Sequence, residues 1–167
     1  MSTGGLPPAA GGLPLPGFGG SLSSSVEANQ PTPDPSPLVE YDWAVLRVVP
    51  RVHLGASVNV GVVLHARTAD FLAMRAVTDV RLLREAVPLL DAGLLARYLE
   101  ACLAVCRGEA EPEAGHAAVA LAPTSERFHW LTAPRSDVLQ CSPIHGGLTH
   151  DPLSTLERLY LEQVTLT

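Results

Sequence analysis

The chain contains no lysine, and all 11 of its basic residues are arginine, against 17 aspartates and glutamates. This absence excludes a P-loop lysine, a Schiff-base lysine and the lysine of many metal-dependent nuclease sites. The formal net charge is −6, and the arginines are scattered among carboxylates, so no basic face for duplex nucleic acid is indicated. The composition therefore disfavours nucleic-acid binding.

Cysteine and metal-ligand patterns are also scarce. Cys102, Cys106 and Cys141 are an odd set without a CxxC pair, which argues against a disulfide framework and against a tetrathiolate zinc site. No pair of the six histidines has the helical HExxH spacing, so neither a metal nor a cofactor is predicted. No apolar run approaches the roughly 18 residues that a membrane span needs. A soluble protein in a reducing, cytoplasmic setting is expected.

Proline and glycine are concentrated at the amino-terminal end. Residues 1–38 hold eight of the 15 prolines and seven of the 14 glycines, and only Glu27 and Asp34 among them are charged. Such a segment has too little apolar material to offset the entropy of ordering it. We therefore predict a disordered tail over residues 1–38 and a single domain over residues 39–167, which is long enough for its own core.

The domain opens with three runs of β-forming residues. We predict strands at Tyr41–Val49, Ser57–Ala66 and Phe71–Val77, joined by short loops into an antiparallel meander. Gly61 lies inside the second run and marks a bulge or a close backbone contact. Weaker strand character is found at His116–Ala122 and in DVLQCS, whereas the segment SERFHWL between them is expected to form one or two helical turns.

Helical periodicity follows the third strand. Thr78 or Asp79 can cap a short helix, and Asp91 can cap a longer one that ends at Gly108. Asp151, followed by proline, marks the start of the last helix. The predicted fold class is α+β, with a small antiparallel sheet of four or five strands and about three helices packed on one side.

The segment RFHWLTAPRSDVLQCSPIHGGL combines aromatic residues with arginine, histidine and other polar groups. We expect Trp130 to be largely buried and to anchor it. Guanidinium forks suit phosphate or carboxylate recognition, and imidazole adds a switchable donor. The candidate anion-binding residues are Arg47, Arg127, Arg135, Ser136, His145 and His129. In the structural alternative, these arginines pair with carboxylates, for which the candidates are Glu126, Asp137 and Glu157, and clamp the last helix to the sheet.

The remaining nucleophiles and histidines carry weaker signals. Cys141 with His145 nearby, and Ser136 by itself, lack the partners that a nucleophile needs. Cys102 and Cys106 fall on an apolar helical stripe and are interpreted as core residues. Four histidines are interpreted as hydrogen-bonded structural residues, namely His53, His65, His116 and His150.

Several blocks of the sequence form a familiar pattern: YDWAVLRVVP with VNVGVVL, then FLAMRAVTDVRLL, and finally ERFHWLTAPRSDVLQCSPIHGGLTHDPLSTLERL. From about Tyr41 to Val164 the chain resembles the bacterial family known as domain of unknown function 3037. The resemblance implies no reaction. Members of that family are often encoded beside a HipA-like kinase, and such kinases are associated with toxin–antitoxin systems. The resemblance therefore implies a kinase of this type as a partner. Where many relatives carry an Arg-Gly-Glu-like stretch this chain has Leu54, Gly55 and Ala56, so any site built on that stretch is incomplete here.

Three functional hypotheses follow. The preferred one is a cytoplasmic accessory or regulatory protein that acts by binding, with a HipA-like kinase as its partner. The alternative is an enzyme or ligand-binding module that recognises an anionic, phosphate- or carboxylate-bearing small molecule through the Arg/His cluster. The second alternative, a nucleic-acid-processing component of a defence module, is disfavoured by the acidic balance and the missing lysines.

Overall fold

The computed structural model describes residues 12, 36–110, 115–135 and 137–165. The predicted disordered tail, residues 1–38, lies almost entirely outside these residues. Within the part of the chain that is described, no helix is long and apolar enough to cross a bilayer.

Five strands form one antiparallel sheet. They are β1 (Val39–Val48), β2 (Val58–Ala66), β3 (Phe71–Ala76), β4 (Leu139–Cys141) and β5 (His145–Thr149). The strand order is β3-β2-β1-β4, and β5 also pairs with β1. One edge of β1 therefore pairs with β2, and its other edge pairs with β5 along its first half and with β4 along its second half. The predicted meander of the first three strands is confirmed.

The helices of the described residues are α1 (Val80–Ala86), α2 (Ala92–Arg107), α3 (Ala117–Ala120), α4 (Thr124–Thr132) and α5 (Pro152–Gln163). Carboxylates cap three of them, as the sequence predicts: Asp79 accepts from Arg81 N–H, Asp91 from Leu94 N–H, and Asp151 from Leu153 and Ser154 N–H. Gly108 ends α2 in the left-handed conformation at φ 73°, which a residue without Cβ adopts readily.

Gly61 lies at the bulge that the sequence indicates. The register between β1 and β2 shifts at Leu46 and Arg47, where Leu46 faces Gly61 and Arg47 faces Asn59. A Cβ atom at position 61 would lie 2.7 Å from the carbonyl oxygen of Arg75 on β3. The backbone of β3 thus approaches closer than any side chain would allow, and both predicted roles of this glycine are confirmed.

The sheet is covered on both faces. The larger core cluster joins one face of the sheet to residues of α1, α2 and α4, and includes Val63 and Phe128. The smaller cluster joins Val62 and Leu64, on the opposite face of β2, to Leu156 and Leu159 of α5. The α+β class and the small antiparallel sheet are confirmed, but α5 departs from the expected one-sided packing. Successive side chains of a strand point to opposite faces, so the uninterrupted apolar run in β2 has to be buried on both sides.

Two other elements differ from the sequence prediction. His116–Ala122 was predicted as a weak strand, but its centre forms the short helix α3, in agreement with the high helix propensity of alanine. The strand β5, HGGLT, was not predicted because glycine has low strand propensity. Pairing with β1, rather than local preference, fixes its conformation.

Trp130 is partly buried and packs at the edge of the larger core cluster. Most of the ring is buried, as expected, although Trp130 is not a fully enclosed residue. One face of its indole is covered by the guanidinium of Arg135, whose central carbon lies 4.6 Å from the ring centroid. The buried aromatic anchor of α4 is its neighbour Phe128, which is only 1% exposed.

We expect Phe128→Ala to lower the free energy of unfolding by about 3–5 kcal/mol, because it opens a cavity between α4 and β2. Trp130→Ala should cost less, since solvent already reaches part of the indole. Equilibrium urea unfolding followed by circular dichroism measures both. A Trp130→Ala loss as large as that of Phe128→Ala would contradict this assignment of the anchor.

Candidate functional site

Arg127 is held by the end of helix α2. Its Nη1 donates to the carbonyl oxygens of Val105 at 3.1 Å and Cys106 at 2.7 Å. The last carbonyls of a helix have no partner within the helix. The Val105 carbonyl already accepts from the N–H of Gly108, so the guanidinium adds a second donor there, bonds the Cys106 carbonyl and ties α4 to α2. The Nε of Arg127 is buried without a hydrogen-bond partner among the described residues. The two hydrogen bonds from Nη1 give Arg127 a structural role.

Arg135 is also fixed by contacts within the protein. Its Nη2 donates to the carbonyl oxygen of Trp130 at 3.1 Å, and its Nη1 donates to the hydroxyl of Tyr98 on α2. Together with the stacking on the Trp130 ring, these contacts hold the guanidinium between α4 and α2.

Arg47 and His145 lie on the face of the sheet that α5 covers. Arg47 is opposite Asn59 of β2, and the amide of Asn59 donates to the carbonyl oxygen of Gln163 on α5 at 2.8 Å. The ring of His145 lies 4.9 Å from that of Trp43, centroid to centroid, and Trp43 packs against the smaller core cluster together with α5. Arg127 and Arg135 lie on the other face.

The structure therefore does not bring the sequence-predicted anion-binding residues together. His129 is exposed beside Phe128, and Ser136 lies outside the described residues. Nor do the predicted ion pairs form within the described residues: Glu157 pairs with Arg75 of β3 instead, at 3.2 Å. The guanidinium of Arg75 also lies over the ring of Tyr160, 5.3 Å from its centroid. The clamp between the last helix and the sheet exists, but a different arginine makes it.

The three thiols are not prepared for nucleophilic attack. Burial raises the pKa of Cys102 and Cys141 to about 11 and that of Cys106 to about 12. Cys141 donates its S–H to the carbonyl oxygen of Leu131 at 3.3 Å. Since the thiolate is the reactive form, these residues act as small core side chains, as predicted for Cys102 and Cys106.

One concave surface, here called the apolar groove, lies between the first half of α2 and β4 and has a volume of about 260 Å³. Its lining residues are mostly apolar and comprise Leu90, Asp91, Leu94, Leu95, Tyr98, Asp137, Val138 and Leu139. Leu94 is 57% exposed at its mouth. The charged members of the lining are carboxylates, which gives the groove an acidic rim.

A second concave surface, here called the polar cavity, lies where β1 meets β5 and has a volume of about 540 Å³. It is lined by charged, polar and glycine residues: Glu40, Tyr41, Asp42, His65, Arg67, Thr68, Gly146, Gly147 and Leu148. Asp42 and His65 face each other across β1 and β2, so their side chains leave the sheet on the same face.

His65 is the buried member of this cavity, with 5% of its surface exposed. Its ring stacks on Phe128 at a centroid distance of 5.2 Å, and its Nε2 lies 3.5 Å from the hydroxyl oxygen of Ser125. Thr124, the first residue of α4, donates to the Asp70 carboxylate at 2.7 Å. That bond fixes the start of α4 against the turn after β2 and so positions Ser125 beside the imidazole.

Burial lowers the pKa of the His65 imidazole below its ordinary value. The carboxylates of Asp42 and Asp70 oppose the shift, whereas His129 and Arg67 add to it. The ring is therefore neutral at neutral pH, with one nitrogen able to accept a hydrogen bond. We interpreted His65 from sequence as a structural residue, and its position in a charged cavity depends on strand register that the sequence alone does not reveal.

A family model described as "Protein of unknown function (DUF3037)" matches residues 43–164 of the chain. No curated protein and no solved structure matches the chain. The matched range contains the whole lining of the apolar groove. It also contains His65 and Arg67 of the polar cavity, whereas Glu40 and Asp42 precede it.

We expect Arg127→Ala to lower the free energy of unfolding by about 1.5–3 kcal/mol, because two carbonyls at the end of α2 lose a charged donor. Arg97→Ala, an exposed change on α2, is the matched control. It should change the free energy of unfolding by no more than about 0.5 kcal/mol. Urea unfolding measures both. Equal stability of the two variants would show that the guanidinium of Arg127 is not needed to hold α4.

Acidification should destabilise the protein through His65. Because the folded-state pKa lies below the ordinary value of 6.5, the unfolded chain takes up a proton below that pH while the folded chain does not. The stability associated with the neutral ring is therefore complete above pH 6.5 and is lost as the pH falls towards the folded-state pKa. Urea unfolding at a series of pH values from about 7.5 to about 5 measures this loss.

His65→Phe keeps an aromatic ring against Phe128 but cannot titrate, so its stability should depend less on pH. His53→Gln removes an exposed histidine and should leave the pH dependence unchanged. A His65→Phe profile that parallels the wild-type profile would assign the dependence to other groups.

Proposed function

We propose that this chain, which belongs to the family described as Protein of unknown function (DUF3037), acts by binding another protein through the apolar groove. The observation that carries the proposal is an apolar recess with an exposed leucine at its mouth and carboxylates at its rim. We assign a HipA-like kinase as the partner because of the gene neighbourhood that the sequence resemblance implies. The protein would then be an accessory or regulatory subunit in the cytoplasm.

The groove has the composition of a protein-binding hot spot. Tyrosine and buried apolar pockets contribute much of the energy at protein interfaces, and Tyr98 forms one wall here. The hydrogen bond from Arg135 holds the tyrosine hydroxyl in place, so little side-chain entropy is lost when a partner docks. Leu94 gains most from the contact, because its exposed apolar surface leaves water.

The rim defines the chemistry of the partner. Asp91 and Asp137 are the charged residues of the lining, and backbone N–H groups hold both carboxylates: Leu94 N–H at 2.9 Å and Val138 N–H at 2.6 Å. Fixed carboxylates around an apolar recess favour an apolar anchor flanked by arginine or lysine. The kinase is therefore expected to present such a segment.

The two alternative functions receive less support. Arg127 and Arg135, central to the proposed anion site, donate to carbonyl and hydroxyl groups of the protein itself. A nucleic-acid role would need a basic surface, whereas the groove is acidic at its rim.

The experiment is co-expression of the full chain with a HipA-like kinase, followed by affinity purification and calorimetry. Leu94→Asp places a charge at the mouth of the groove and should weaken the complex by more than about tenfold, or about 1.4 kcal/mol. Leu161→Asp is the matched control, because Leu161 is 75% exposed on α5, far from the groove lining. It should bind like the wild type.

Charge provides a second arm of the test. Asp137→Lys should weaken the complex and reduce its dependence on salt, since a favourable pair with the partner is lost. Failure of the kinase to co-purify, or equal binding by Leu94→Asp and Leu161→Asp, would reject the proposal. A dimer of the chain that Leu94→Asp dissociates would instead assign the groove to a second copy and would also reject the kinase.

A further inference from the structure

The polar cavity contains a buried imidazole with an unused nitrogen. His65 is buried and lines the cavity, and its one hydrogen-bond contact among the described residues is from Nε2 to Ser125. Among the described residues, two enclosed side-chain nitrogens lack a hydrogen-bond partner, namely Nε of Arg47 and Nε of Arg127. Nδ1 of His65 has no hydrogen-bond partner among the described residues and is not one of these enclosed atoms, so it keeps access to the cavity.

Charged groups of both signs line the same cavity. Glu40 and Asp42 are two residues apart on β1, so their side chains lie on the same face of the sheet. Arg67 directly follows β2 and also lines the cavity. None of the three forms a salt bridge with another described residue. Two carboxylates and one guanidinium thus line a single cavity without neutralising one another at close range.

One glycine of β5 leaves room beside Asp42. Gly146 is opposite Asp42 in the register, and a Cβ atom there would lie 3.6 Å from the Asp42 carboxylate oxygen. A Cβ atom at Gly147 would lie 2.6 Å from the ring of Tyr41, on the opposite face of the sheet. On the cavity side, therefore, Gly146 leaves the space beside the Asp42 carboxylate open, while Leu148 lies opposite Glu40.

We infer that the polar cavity binds a free basic α-amino acid. Such a ligand carries two cationic groups and one carboxylate, which match the two carboxylates and the one guanidinium of the lining. Asp42 and Glu40 bind the cationic groups, and Arg67 binds the ligand carboxylate. Nδ1 of the neutral His65 accepts a hydrogen bond from the ligand ammonium while Nε2–H donates to Ser125. The site is independent of the apolar groove and of the proposed kinase.

A bound ammonium would give Nδ1 of His65 a hydrogen-bond donor that none of the described residues provides. Since the ligand binds the neutral ring, affinity should fall when the imidazole is protonated. Such a loss of affinity would accompany the loss of stability on acidification.

The test is calorimetric titration of the full chain with L-arginine, L-lysine, L-glutamate and agmatine, the decarboxylated form of arginine. L-Arginine or L-lysine should bind saturably, and L-glutamate should not. Asp42→Asn should weaken that binding by about tenfold or more. Arg67→Gln should weaken the binding of the amino acid by about tenfold but change that of agmatine by less than about twofold, because agmatine has no carboxylate.

Matched controls are Glu100→Gln and Arg97→Gln, exposed changes on α2 that remove the same kinds of charge outside the cavity. Both should bind like the wild type. Asp42 and Arg67 are themselves exposed, so their variants should fold, which thermal melting verifies.

A nitrogen-15 NMR titration of the histidine side chains locates the binding, since the ring nitrogens of His65 should shift with saturation. Absence of saturable binding of both L-arginine and L-lysine up to about 10 mM, or binding that survives both Asp42→Asn and Arg67→Gln, would overturn the inference. Equal affinity for L-glutamate would also overturn it. Loss of kinase binding in Leu94→Asp bears on the groove alone.

Discussion

The pairing of both edges of β1 is the constraint on which the rest of the structure depends. One edge is occupied by β2 and the other by two short strands in succession, β4 and then β5. Ser142 joins them: its N–H donates to the carbonyl of Val45 at 2.8 Å, and its hydroxyl accepts from the N–H of Val45 at 2.9 Å. The side chain thereby continues the ladder across the bend before Pro143.

This continuity places both concave surfaces. The apolar groove uses β4 as one wall, and the polar cavity uses β5. Because the two strands are connected through Ser142, a shift of one along β1 would move the other. The two surfaces nevertheless have different chemistry, since the groove has an apolar lining while the cavity contains charges of both signs. Two separate binding sites are therefore compatible with one continuous sheet.

Local patterns predicted the fold well. Apolar β-forming runs identified the first three strands, and the three capping aspartates fixed where the major helices begin. Gly61 was recognisable because a lone glycine within a strand pattern signals a bulge or a close approach. The exceptions are elements selected by tertiary pairing. β5 contains two adjacent glycines and becomes a strand only because the first half of β1 needs a partner.

The candidate site was less accessible from sequence. The sequence suggests that the candidate arginine and histidine side chains converge on one surface. Instead, Arg47 and His145 lie on the face of the sheet that α5 covers, and Arg127 and Arg135 lie on the other. The residues that do meet, Asp42, His65 and Arg67, come from different strands and a turn. Their proximity depends on the register between β1 and β2, and a shift of one residue would have placed Asp42 on the opposite face from His65.

The environment of the thiols has a practical consequence. Cys102 and Cys106 lie on the inner side of α2, and Cys141 is bonded to the backbone at the end of α4. With pKa values near 11 to 12, all three are almost entirely protonated at physiological pH, and Cys102 and Cys106 are also buried. Alkylation of these two requires α2 to open, so their rate of iodoacetamide labelling becomes an internal gauge of how often that helix lifts from the sheet.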